Sequence, residues 1–124
     1  MIVKHYELFD VVYGISEDVF DYIGEDECFG LKRSECYDHV GDVYIAGLVN
    51  VNHEGKPFMF INKHRMETSS LSDQYGLVYH ESVHMAMILM DGDVKEYEED
   101  FAELVVDIAN HFHEHQVEAF QDEQ

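Results

Sequence analysis

Between Leu77 and Met90 the chain is apolar except for a few polar side chains, three of them ionisable and held in the string His80-Glu81-Ser82-Val83-His84. A run of this length with bulky aliphatic residues on every side reads as a buried helix. On a 3.6-residue period His80 and His84 stand one turn apart, and Glu81 joins them in an arc of about 100° together with Leu77 and Ile88. A carboxylate buried without a partner costs several kcal/mol, so these groups must meet partners or face a cavity. The spacing is that of H-E-x-x-H, in which the two histidines hold zinc and the glutamate acts on a metal-bound water. The structural alternative is a pair of histidines satisfied by neighbouring acids, which leaves Glu81 unexplained.

A catalytic zinc site keeps three protein ligands, so a third must come from elsewhere. The next helix is expected at about 95–115, after a stop at Asp91-Gly92-Asp93. Tyr97, Phe101, Leu104, Val105, Ile108 and Phe112 mark its main core face. Beside them runs a narrower stripe of Glu99, Ala102, Val106, Ala109 and His113, whose small residues let another helix approach closely. Glu99 heads that stripe and is the preferred third ligand. Glu98 remains the alternative, and Glu103, on the outer side, ranks third.

The rest of the chain is read as the support for this site. Ile2 to Tyr13 is rich in β-branched and aromatic residues and reads as one opening strand. Ser16, followed by Glu17 and Asp18, is expected to cap a short helix that Gly24 stops. Glu25 to Gly41 reads as a loop. Val43–Val51 and Pro57–Asn62 form two β-rich runs around Asn52-His-Glu-Gly-Lys56, hence a hairpin at 43–62. Lys63 to Ser72 is polar, with Ser69, Ser70 and Ser72 as candidate caps for a helix at 73–90. The expected fold is α+β: a small antiparallel or mixed sheet packed against helices 73–90 and 95–115, in one domain spanning 1–124.

Composition narrows the partners. Twenty-seven acidic side chains against seven Lys and Arg give a formal charge of -20, which excludes nucleic acid and anionic membrane as simple electrostatic partners. A solvated acidic surface accounts for most of this charge, and cations or basic proteins are the partners it favours. No apolar run approaches the roughly 20 residues of a membrane span, and no basic and apolar leader precedes the first strand. A cytoplasmic protein with Cys28 and Cys36 as reduced thiols is expected. Together with His39 those cysteines lack the tight pairing of a second metal site. His111, His113 and His115 alternate across helix faces and are not expected to converge. Met85, Met87 and Met90 read as core filler.

The strand Pro57-Phe-Met-Phe-Ile-Asn62, the helix segment Leu-Val-Tyr-His-Glu-Ser-Val-His84 and the following Glu99-Asp-Phe-Ala102 together resemble the minimal gluzincins. These are compact zinc-peptidase domains that include ImmA/IrrE-type proteins and small phage-encoded relatives. The resemblance covers residues 57 to about 110 and implies a zincin-like fold with an edge strand ending in Ile61-Asn62. It implies His80, His84 and Glu99 as zinc ligands, Glu81 as general base, and hydrolysis of a protein or peptide, in the host cytoplasm for a phage-encoded chain. No oxyanion-stabilising group follows from it, Tyr75, Tyr79 and His113 being the candidates. The alternative function is a non-catalytic acidic protein of the same fold that binds a basic protein partner.

Overall fold

The computed structural model describes residues 1–36, 44–90 and 98–122, with backbone alone for residues 98, 99 and 114–122. The architecture is α+β, a mixed four-stranded sheet with helices on both faces. The opening segment is two strands, β1 (Ile2–His5) and β2 (Asp10–Gly14), paired antiparallel. The single strand expected over Ile2 to Tyr13 would span about 40 Å, more than a domain of this size is wide. It folds back where the Tyr6 amide donates to the Phe9 carbonyl at 3.1 Å.

Helix α1 (Glu17–Ile23) follows and is stopped by Gly24 at φ 85°. Ser16 occupies the N-cap position ahead of the acidic first turn, as expected from sequence, but its side chain makes no capping hydrogen bond. Its hydroxyl is buried and accepts from the Ile45 amide at 3.0 Å, tying the start of α1 to the approach of a later strand. The segment expected as loop after Gly24 contains a small hairpin, β3 (Glu27–Cys28) with β4 (Leu31–Lys32). Its two-residue turn, Phe29-Gly30, has positive φ at both positions, as a tight hairpin turn demands. Arg33 then reaches Asp21 at 2.6 Å and Asp26 at 2.9 Å and clasps this hairpin to α1.

The expected hairpin is present as β5 (Gly47–Val51) and β6 (Pro57–Asn62), in antiparallel register from Gly47 opposite Ile61 to Val51 opposite Pro57. Val43, where the first of these strands was expected to start, lies outside the described residues. Strand order is β1-β2-β6-β5, with β2 and β6 parallel. The edge-strand position expected for Pro57–Asn62 is therefore corrected. Residues 58–62 of β6 are all buried, because the strand lies between β2 and β5 and is covered on both faces. Among the described residues, β5 is the outer strand on that side.

Lys63 to Thr68, expected as a polar connection, is a short helix, α2, capped by Asn62, whose side chain accepts from the Arg65 amide at 3.1 Å. Helix α3 (Leu71–Leu89) starts at the Ser70 cap, two residues before the expected boundary. Helix α4 (Glu98–Asp122) contains the expected core face, and its backbone continues beyond residue 115. Tyr97 lies outside the described residues. The pleat of the sheet sorts its side chains. Val11, Tyr13, Met59 and Ile61 pack with Val78, Met85, Ala86, Ile108, Ala109 and Phe112 of α3 and α4. The alternating Val12, Phe58 and Phe60 pack with Val19, Phe20 and Ile23 of α1. Among the described residues no helix is long and apolar enough to cross a membrane.

Candidate metal centre

The wheel of α3 is less uniformly buried than its composition suggests. Val78, Glu81, Ser82, Met85 and Ala86 form its buried arc, while Tyr79, Val83 and Met87 remain exposed at 37–44%. Among the described residues the sheet and α4 cover mainly one side of the helix, which leaves these apolar residues partly in solvent. Ser82, in the buried arc, satisfies its hydroxyl by donating to the Val78 carbonyl one turn back, at 2.7 Å.

The three ionisable groups divide between the two sides. His80 and His84 are exposed, and their Nε2 atoms stand 3.3 Å apart with the rings nearly perpendicular, at 75°. Glu81 turns inward, is 5% exposed, and lies flat over Gly47 at the start of β5. Burial pushes its carboxyl above the usual carboxylate range, opposed in part by the field of His80. Among the described residues no hydrogen-bond donor reaches it. With no described donor in reach, the carboxyl is left to water or a cation for a partner.

The donor set can be tested against a zinc ion. Two imidazole nitrogens bound tetrahedrally at about 2.0–2.1 Å stand about 3.3–3.4 Å apart. The His80–His84 separation matches that spacing. The third donor is another matter. The side chains of Glu98 and Glu99 lie outside the described residues, and Glu103 is exposed on α4. Among the described residues no group of three His, Cys, Asp or Glu is arranged to hold a metal.

The candidates for oxyanion stabilisation gather with one another. His113 packs against Tyr75 at 4.7 Å and Tyr79 at 6.3 Å between ring centroids, where the first half of α3 meets α4. Tyr79 precedes Glu81 by two residues, about 200° around the helix, and so leaves from the opposite side. The small-residue stripe of α4 is used at one end only: Ala109 is buried and His113 meets the tyrosines, but Ala102 and Val106 are exposed. His111 instead lies edge-on to Tyr6 at 4.2 Å, so the C-terminal histidines described here do diverge. A surface groove of about 290 Å³, lined by Tyr6, Leu8, Phe9, Leu104 and His111 among others, is separate from His80, Glu81 and His84. Met85 is core filler as expected, while Met87 is exposed. Cys28 and Cys36 are both buried free thiols; His39 lies outside the described residues.

A second ionisable cluster, on the α1 face, was not visible in the sequence. Asp10, 3% exposed, accepts from His5 at 2.9 Å, from Tyr22 at 2.7 Å and from Lys56 at 2.7 Å. Asn52 donates to the Tyr22 oxygen at 2.9 Å. Burial beside Asp10 pushes the Tyr22 phenol up to about 12. These groups satisfy one another, in contrast to Glu81. Comparison of the chain with protein-family models, curated proteins and solved structures returns no match.

Proposed function

We propose that the chain is a zinc-dependent metallopeptidase of zincin-like fold, resembling the minimal gluzincins. The observation that carries this reading is the pairing of two imidazole nitrogens 3.3 Å apart with a buried carboxylate that no described donor satisfies. His80 and His84 would hold the metal, with Glu99 as the third ligand and Glu98 as its alternative. Zinc, when bound, acidifies a coordinated water and polarises a carbonyl.

The chain's own residues supply the proton chemistry and the positioning. Glu81 is the general base: its carboxylate takes a proton from water and returns it to the leaving amine. A carboxyl raised above its ordinary range by burial is better suited to hold that proton between the two steps. A substrate in extended form finds beside Glu81 a strand whose outer edge has no neighbouring strand among the described residues. That strand is β5, in place of the strand at 57–62 first expected, and main-chain pairing along it would fix the scissile carbonyl.

The test is hydrolysis of a casein-like protein or a host extract, with zinc content measured in parallel. The Glu81→Gln variant is expected to retain zinc while kcat/KM falls about 10²- to 10⁴-fold. His80→Ala is expected to lose both zinc and activity. Full activity in Glu81→Gln would sink the assignment. The formal charge of -20 favours a second reading, a non-catalytic protein of this fold that binds a basic partner. In that case binding survives Glu81→Gln and no cleavage is found in the wild type.

A further inference from the structure

The geometry points to Gly47 as the positioning residue for Glu81: its bare Cα is what admits the carboxylate to its place between α3 and the outer strand. Its role in hydrolysis rests on the peptidase reading above; the seating itself does not. A Cβ built on Gly47 would lie 2.8 Å from Glu81 Oε1 and 2.9 Å from both Cδ and Cγ. Those separations are far inside the roughly 3.5–4.0 Å of a favourable carbon contact. Every substitution at 47 therefore collides with the Glu81 side chain.

The backbone does not itself need glycine there. Gly24, Gly30 and Gly55 have positive φ, and Gly47 is not among them. It stands in a regular strand, paired with Ile61, where a β-branched residue would be more stable and glycine weakens the pairing. What the missing side chain provides is room. Glu81 is the group that fills it, and a glutamate displaced from that seat can swing outward about its own rotatable bonds without disturbing the core. Gly47→Ala should therefore leave the fold and the histidine pair intact while moving the carboxylate.

The experiment is a double-mutant cycle with Gly47→Ala, Glu81→Ala and the double variant, read by thermal unfolding, with zinc affinity and peptide hydrolysis measured on the same proteins. Residues in contact couple, so the Tm change caused by Gly47→Ala should be at least about 3 °C more favourable in the Glu81→Ala background than in the wild type. Zinc affinity of Gly47→Ala should stay within about threefold of wild type, and kcat/KM should fall about 10²-fold, as expected for a misplaced catalytic group. A Gly47→Ala protein that fails to fold but is rescued by Glu81→Ala gives the same answer in stronger form. Equal Tm changes in the two backgrounds would overturn the seating. Coupling with undiminished hydrolysis would overturn the positioning role. A wild type inert on every substrate, with coupling present, would remove the peptidase reading and leave the seating of Glu81 on Gly47 supported.

Discussion

Asp10 keeps its charge although it is almost fully buried. Burial by itself raises its pKa, but hydrogen bonds from Lys56, Tyr22 and His5 together outweigh that and hold the carboxyl below its ordinary range. Because the folded value is depressed, the stability it contributes is complete above the unfolded aspartate value of about 3.9 and is lost as pH falls through the lower folded one. Asp10→Asn is expected to lower stability by about 1–3 kcal/mol at pH 7, with the gap to wild type closing toward pH 2 in urea titrations at both pH values. A gap independent of pH would mean that the charge is not what stabilises. None of this was readable beforehand, since Tyr22 and Lys56 are distant in sequence from Asp10, and His5 meets Asp10 only because the segment read as one strand folds back between them. His80 and His84 were legible for the opposite reason: a helix fixes its own i, i+4 neighbours. The inward turn of Glu81 was not, because it depends on what the neighbouring strand lacks at position 47.

At the scale of elements, the junction between β6 and α2 is held by one side chain. Asn62 is fully buried, accepts from the Arg65 amide at 3.1 Å and donates to the Ile45 carbonyl at 2.9 Å. Alanine there leaves the Arg65 amide without its capping acceptor, worth about 1–3 kcal/mol, and leaves the Ile45 carbonyl only the longer 3.5 Å bond from the Ser16 hydroxyl. Asn62→Ala is thus expected to cost about 2–4 kcal/mol in denaturant unfolding. A loss under 0.5 kcal/mol, of the order seen at unremarkable surface sites, would show that neither bond matters. The two strands around Asn52–Lys56 and the two long helices were visible in the sequence because period and turn chemistry are local. The parallel pairing of β2 with β6 was not, and with it the interior place of β6, since no local pattern states which distant strand will be a neighbour. Residues 58–61, an unbroken apolar run, carried a hint: strands buried on both faces read that way.

Across the whole molecule the charge of -20 opposes compaction. Asp100, Glu103 and Asp107 on α4 are all exposed, where salt screens them effectively. Raising sodium chloride from 0.01 to 0.3 M, which shortens the screening length from about 30 Å to under 8 Å, is expected to raise Tm by several degrees. A Tm that is flat or falls would indicate that the acids are compensated locally. The same screening would weaken capture of a basic partner.

The parallel contact between β2 and β6 also constrains how the chain reaches this structure. The first two strands can pair as soon as they exist, and so can β5 with β6, but the two hairpins meet only after the segment from Gly14 to Gly47 has been looped between them. That closure carries an entropic cost before any sheet contact offsets it, and it makes the joining of the hairpins the natural slow step of folding. Gly47 and Glu81, by contrast, lie on the later side of that loop. The seat of the carboxylate can begin to form while the first two strands are still undocked.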